Sequence, residues 1–251
     1  MLNKKQRIIL SVTNDLVIDN RMHKMCMSLH NAGYSVLLVG RQLSHSRDVP
    51  ETPYKTKRIR LLFSRGALFY ACFNIRLFFV LLCSRADVFT ANDLDTLLAV
   101  FVAAKIRRKK IVYDSHEYFT EVPELADRPF QKKTWQFIES YIFPKLSHCI
   151  TVCESIAAVY SQKYSVSVHV VRNVPFTNIN TNIQVAPVPG VYKPYIVYQG
   201  AINVGRGLEM LIESMRYVDD YQLVIIGSGN LMTQIQKQIA EADLTDTVIC
   251  M

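Results

Sequence analysis

Apolar runs of strand length alternate with amphipathic stretches of helix length from Arg7 to Cys250, and this alternation constrains the chain more than any single motif. Repeated βα units of this kind build a parallel sheet with helices packed on its faces. The first predicted strand is Arg7 to Thr13. Asp19 is placed to cap the helix that follows, where Met22, Cys26, Leu29 and His30 recur at helical spacing and Asn31-Ala32-Gly33 supplies the stop. Further strands are predicted at 34–39, 58–63, 87–90, 110–113, 148–152 and 168–171. Helices are predicted at 94–106, 129–145 and 154–163.

From Asn173 to Pro194 the rhythm breaks. Asn173-Val174-Pro175 leads into a Thr/Asn stretch and then Pro187, Pro189 and Pro194, a pattern that reads as a domain linker. The expected domains are therefore 1–185 and 186–251. After the linker, strands are predicted at 195–199, 222–226 and 247–250, with a helix through 208–215 and another before the last strand. A parallel sheet of three strands leaves an edge and part of each face uncovered, so the second domain reads as incomplete.

Half of the 251 residues are hydrophobic and a fifth are charged, which suits a packed core rather than a disordered chain. Six cysteines lack any C-x-x-C pair and no basic-then-apolar leader precedes Arg7, so the expected setting is reducing and cytoplasmic. The net charge of +8 is uneven: residues 1–185 carry 25 Lys and Arg against 14 Asp and Glu, and residues 186–251 carry 4 against 7. A basic surface attracts nucleic acid, anionic headgroups and phosphorylated ligands alike. The densest run, from Lys105 to Lys110, lies between a helix pattern and a strand and reads as a solvated connection, which argues against nucleic acid. Phe69 to Cys83 is almost wholly apolar but short for a membrane span. It is expected to be a buried or half-buried helix, or an interfacial patch using Phe73, Phe78 and Phe79 with Arg65 and Arg85.

Ligands of open parallel sheets bind beyond the carboxyl ends of the strands. One predicted strand ends there in Tyr113-Asp114-Ser115-His116-Glu117, and another is followed by Asn92-Asp93-Leu94-Asp95. In the second domain, two strand-to-helix turns are rich in glycine: Gly200 to Gly207, which includes Asn203 and Arg206, and Gly227-Ser228-Gly229-Asn230. Free backbone N–H groups and one guanidinium there suit an anion such as a phosphate. Either turn has a bland reading as well, since glycine also serves backbone freedom. A dinucleotide fold is disfavoured: Asn14-Asp15-Leu16-Val17 has no glycine, and Met232 stands where G-x-G-x-x-G needs its third. No metal-ligand spacing is present.

With Asp19-Asn20-Arg21 opening the first helix, Asn92-Asp93-Leu94-Asp95, Tyr113 to Glu117 and Asn173-Val174-Pro175, the first domain resembles the acceptor half of the family 4 retaining glycosyltransferases. The second, with Tyr198-Gln199-Gly200, Gly205-Arg206-Gly207-Leu208-Glu209 and Val224 to Gly229, resembles the start of their donor half. The resemblance implies a GT-B fold of class α/β, two Rossmann-like domains with parallel sheets facing a cleft, the second one truncated. It implies transfer of a sugar, with retention, from a nucleotide-diphosphate sugar to a glycan or lipid-linked acceptor, in surface polysaccharide synthesis, without metal or cofactor.

By motif match, His116 faces the donor sugar as a neutral imidazole that positions a hydroxyl, with local backbone satisfaction as the competing reading. Arg206 replaces the family's phosphate-pairing lysine, and Ala201 stands where an arginine is common. Gly200, Asn203, Gly207, Gly227, Ser228, Gly229 and Asn230 complete the expected donor site. Asn14, Arg21, Asn92, Asp93, Asp95, Glu117 and Asn173 are the expected acceptor and sugar contacts, although Asp95 equally suits a helix cap and Glu117 a cap of the next segment. The family's paired glutamates have no counterpart before Met251, so low activity is expected of this chain, and a non-catalytic nucleotide- or glycan-binding module of the same fold stays open. The basic first domain and its apolar segment fit docking on an anionic inner leaflet.

Overall fold

The computed structural model describes residues 5–175 and 187–251, and the chain divides into two compact units, Met1–Pro175 and Phe176–Met251. The expected boundary at 185/186 lies outside the described residues. Unit one is a seven-stranded parallel sheet in the order β3-β2-β1-β4-β5-β6-β7. Its strands are β1 (Arg7–Asp15), β2 (Ser35–Gln42), β3 (Lys55–Arg60), β4 (Val88–Asn92), β5 (Lys110–Ser115), β6 (Cys149–Thr151) and β7 (Val168–Val170). Helix α1 (Asn20–Asn31) joins β1 to β2, capped as expected by Asp19, whose carboxylate accepts from the Met22 amide at 3.1 Å.

The strand order reverses at β1/β4. From there α2 (Gly66–Cys83), α3 (Leu94–Arg107), α4 (Pro129–Ile142) and α5 (Glu154–Tyr164) each precede or link successive neighbours, so right-handed crossovers put them on one face. That face packs the larger core, including Phe73, Phe89, Tyr113, Phe143 and Tyr160. On the opposite face α1 closes a smaller core of Leu10, Met22, Cys26 and Leu38.

The structure shifts the third strand, and it bears out the half-buried helix expected of the apolar segment while correcting the place of Phe73. The third strand lies three residues earlier than the apolar Leu61-Leu62-Phe63 suggests, over Lys-Thr-Lys-Arg-Ile-Arg, of which only Ile59 is buried. It is one edge of the sheet, and its four cations in six residues are what a protected edge carries. The apolar segment forms an 18-residue helix, long and apolar enough to cross a membrane by length and composition. It nevertheless packs against the sheet through Phe69, Phe73, Leu77 and Leu81, one residue per turn. Phe73 is therefore a core residue, not a surface one, and the exposed line of α2 runs through Leu68, Ile75 and Phe79. The cationic run at the end of α3 is partly structural: Arg107 donates to the terminal carbonyls of Leu81, at 3.0 Å, and Ser84, holding the end of α2.

Unit two is a three-stranded parallel sheet in the order β10-β9-β8, with β8 (Tyr195–Gln199), β9 (Gln222–Ile226) and β10 (Val248–Cys250) joined through α6 (Leu208–Ser214) and α7 (Met232–Glu241). Its core holds Ile202, Leu208, Ile212, Leu223, Ile225, Ile235 and Ile239. Inside the β10 edge Gln222 is buried and fully engaged. Its side chain accepts from the Tyr192 and Lys193 amides and donates to the carbonyls of Gly190 and Asp246.

The two faces of α2 should separate cleanly in stability. Phe73→Ala is expected to cost about 3–5 kcal/mol, and Phe79→Ser on the other side of the same helix under about 1 kcal/mol. Urea denaturation of both variants measures this, and equal losses would contradict the assigned packing.

Candidate functional site

Asp114 is the next-to-last residue of β5 and its side chain has no solvent exposure. A carboxylate in that position is costly unless cations and hydrogen bonds replace its water. Arg21, from the first turn of α1, brings one guanidinium nitrogen to both carboxylate oxygens, at 2.8 and 3.0 Å, while another nitrogen donates to the Val171 carbonyl at 3.4 Å. His116 adds its Nε2, 3.1 Å from the same carboxylate. Residues 114 and 116 share one side because side chains alternate along an extended chain.

The other ring nitrogen of His116 meets Asp93. Its Nδ1 lies 3.0 Å from Asp93 Oδ2, and the His116 backbone N–H donates to Asp93 Oδ1 at 2.7 Å. Asp93 directly follows β4, and its own amide donates to the Asp114 carbonyl at 2.8 Å, which continues the β4–β5 ladder for one more residue. There the backbone adopts φ 64°, ψ 166°, a region that side chains rarely enter. Such a conformation costs on the order of 1–3 kcal/mol and persists only when its surroundings hold it. Here the two bonds to His116 and the start of α3 hold it.

A ring that faces a carboxylate at each nitrogen must donate from both, and so carries a proton on each. Burial opposes the charge on His116, but the bonds to Asp114 and Asp93 outweigh it and raise the pKa to about 10. The expected neutral imidazole is corrected accordingly: His116 is an imidazolium in a row that alternates in sign, Arg21, Asp114, His116, Asp93. At 17% and 20% side-chain exposure, His116 and Asp93 are the members of the row that reach solvent.

Three expected ligand contacts lie in the interior instead. Arg21 is buried and spent on Asp114. Asn92 is buried within β4 and donates to the Ser11 carbonyl at 3.0 Å, tying β4 to β1. Asp95 is not the cap of α3, because the helix starts at Leu94 with Asp93 as its N-cap residue. It points inward to Thr13 Oγ1 at 2.5 Å, and burial, then the Asp93 charge, push its pKa up to about 7 against the Thr13 bond. The remaining three are exposed along the ends of the strands. Asn14 donates to Asp19 at 3.0 Å, Asn173 accepts from Lys24 Nζ at 2.5 Å, and Glu117 follows His116, its carbonyl accepting from Ser115 Oγ. Lys24 and Asp114 were missed as site residues. The Asp-x-His spacing signals Asp114, whereas no local pattern marks Lys24, which reaches Asn173 from 149 positions away.

In unit two the glycine turns pack against each other. A Cβ on Gly227 would lie 1.9 Å from the Gly200 carbonyl oxygen, and one on Gly229 would lie 2.2 Å from that of Ile202. The Gly200 amide donates to the Ile226 carbonyl, Ile202 to Ser228, Leu231 to Ile202, and Asn230 to the Asn203 side chain at 3.1 Å. The amides of Gly200 and Asn230 are thus not free for an anion, which corrects part of the expected cradle. Gly207, at φ 72°, is the N-cap residue before α6, and Arg206 is exposed beside it, without an ion pair among the described residues. Also among the described residues, no group of three or more His, Cys, Asp or Glu is placed to hold a metal ion.

A family model, Glycosyltransferase Family 4, matches residues 18–174. That span contains Arg21, Asp93, Asp114 and His116. Sucrose-phosphate synthase from Thermosynechococcus elongatus superposes with a TM-score of 0.71 at 14% identity, over 98% of this chain and 70% of that one. Anabaena HepE in complex with UDP and glucose gives 0.73 at 11% identity, over 98% and 69%. A putative UDP-N-acetylglucosamine 2-epimerase from Listeria monocytogenes gives 0.64 at 12% identity, over 98% and 69%. The shared feature at such identities is the fold, which is α/β and of the GT-B type. No curated protein sequence matches the chain.

Asp95 supplies a pH test with a defined sign. Its folded-state pKa is raised, so its favourable contribution is complete below about pH 4 and is lost as pH rises through about 7. Asp95→Asn should therefore gain stability relative to the unmodified chain as pH rises from about 4 to 7 and hold that gain above it, read as the difference in thermal midpoints. A constant difference across that range would contradict a buried carboxyl with a raised pKa.

Proposed function

This chain belongs to glycosyltransferase family 4, and from that premise we propose that it transfers a sugar, with retention at the anomeric carbon, from a nucleotide-diphosphate sugar to a glycan or lipid-linked acceptor. Surface polysaccharide synthesis is the setting that we infer, at the cytoplasmic side of a membrane where lipid-linked acceptors are presented. The observation that carries the reading is the His116–Asp93 pair at the carboxyl ends of β4 and β5. A sugar hydroxyl can enter between the two groups, donating to the Asp93 carboxylate and accepting from the imidazolium Nδ1–H. That exchange substitutes two charge-assisted hydrogen bonds for the existing one and fixes the sugar's orientation.

The bond from the anomeric carbon to the diphosphate oxygen then breaks while the acceptor oxygen bonds to the same face. The acceptor's proton passes to the departing phosphate, so the products are the glycoside and a nucleoside diphosphate, with no protein nucleophile required. Within the second unit, Arg206, exposed beside Gly207, is the cation that we assign to a nucleotide phosphate. UDP in the Anabaena HepE complex, which shares the fold, supports a nucleoside diphosphate as the donor's leaving portion.

A second reading, a nucleotide- or glycan-binding module without turnover, is favoured by one observation. The Gly200 and Gly227 turns spend backbone amides on each other, which leaves fewer donors for a diphosphate. Titration calorimetry with UDP, GDP and ADP, paired with transfer assays using radiolabelled UDP-, GDP- and ADP-hexoses and membrane extract, separates the two. Transfer that falls about 10²-fold in Asp93→Ala or His116→Ala, with nucleotide affinity unchanged, is the expected result. Nucleotide binding without transfer supports the module, and neither binding nor transfer refutes both the transferase and the nucleotide-binding module.

A further inference from the structure

We propose that the outer face of α2, α3 and α4 is a docking surface for an anionic lipid bilayer. The inference deepens the reading above by naming the surface, and depends on that reading only for the lipid-linked acceptor. A helix layer on a sheet ordinarily turns polar side chains to water. Here the solvent side of α2 carries Leu68, Ile75 and Phe79, the last 57% exposed. Helix α3 packs between α2 and α4 and adds Val102 and Ile106, the latter 60% exposed. On α4, Phe137 and Tyr141 stack outside the protein, with Phe130 two turns before Phe137 on the same side and Phe137 70% exposed. Between α2 and α3 the surface dips into a groove of about 400 Å³ walled by Ile75, Phe79, Leu98 and Val102, among others. Apolar side chains spread over three adjacent helices exceed the scattered exposure that soluble surfaces normally show.

Charge selects the occupant. The three helices contain only two acidic residues, Asp95 and Glu139, and both are buried. Their exposed charges are cations, with Arg76 on α2, Lys105 on α3 and Lys133 on α4, and Lys145 lies over the Tyr141 ring at 3.0 Å just beyond α4. The exposed acids nearby, Glu121, Glu124 and Asp127, belong to the connection before α4. Glu121 reaches α4 only to pair with Lys132, at 2.6 Å, and the remaining aromatic and aliphatic side chains interspersed with lysine and arginine match an interface of acyl chains beneath anionic headgroups. A protein partner needs no such uniform sign. Asp93 immediately precedes α3, so the candidate site and the docking face share one helix.

The test is co-sedimentation of the full chain with phosphatidylcholine vesicles, with and without about one third phosphatidylglycerol, alongside sedimentation velocity without lipid. Binding to the anionic vesicles is expected, several-fold weaker without phosphatidylglycerol or at high salt, and reduced at least about 10-fold by Phe79→Glu with Phe137→Glu. Circular dichroism and thermal melting establish that the variant is folded, and a second variant, Ile106→Gln, should weaken binding without altering charge. Absence of binding, equal binding to neutral vesicles, or binding unaffected in the folded variants would overturn the proposal. So would a dimer that dissociates on Phe79→Glu, because the face would then belong to a second copy. Vesicle binding requires neither donor nor acceptor, so its outcome is independent of whether sugar transfer is found.

Discussion

A carboxylate without solvent, Asp114, is the constraint around which the first unit arranges its functional edge. Removing it from water costs several kcal/mol, and leaving either partner out would expose that cost. Arg21 meets it from α1, across the β1/β4 reversal of the strand order, and reaches the carbonyl of Val171 after β7 with the same guanidinium. One ion pair therefore ties the helix after the first strand to strands at the middle and far side of the sheet. The charge of Asp114 also fixes the protonation of His116, and His116 in turn pins Asp93 in a backbone conformation that it would not adopt alone. Strain, charge and position are thus one arrangement, placed at the strand ends where parallel sheets put their ligands.

Unit two solves a different problem. Its two glycine turns approach backbone to backbone, so the absence of side chains at Gly227 and Gly229 is required by the neighbouring turn before any ligand is considered. A glycine-rich turn therefore has two physical explanations in the same molecule. At this pair the packing one is established by the hydrogen bonds from Gly200, Ile202 and Leu231, while the exposed Arg206 retains the chemistry that an anion needs.

Most of the fold was legible in the sequence because the βα rhythm is a local property. The strands at Tyr195–Gln199 and Gln222–Ile226 and the start of α3 at Leu94 follow directly from apolar periodicity. The edge strand Lys55–Arg60 did not, since an edge is defined by what fails to pair with it, and its cations mimic a loop. The site was legible in outline. His116 and Asp93 were readable as strand-end residues, but the roles of Arg21, Asn92 and Asp95 depend on burial created by residues far away in sequence, Arg21 and Asp114 being 93 positions apart. The charge of His116 was unreadable for the same reason: it depends on two carboxylates, one of them delivered by the neighbouring strand. The exposed side of α2 is an intermediate case, where composition showed an apolar helix and only packing decided which line of residues faces outward.

Asp114 and Asp93 hold His116 as an imidazolium, and nitrogen-15 NMR of the histidine ring across pH tests this most directly. Both ring nitrogens should remain protonated at pH 8, titrate near pH 10, and revert toward ordinary histidine behaviour in Asp114→Asn with Asp93→Asn. A ring that loses its proton near pH 6.5 in the unmodified chain would contradict the charge row on which this account of the site depends.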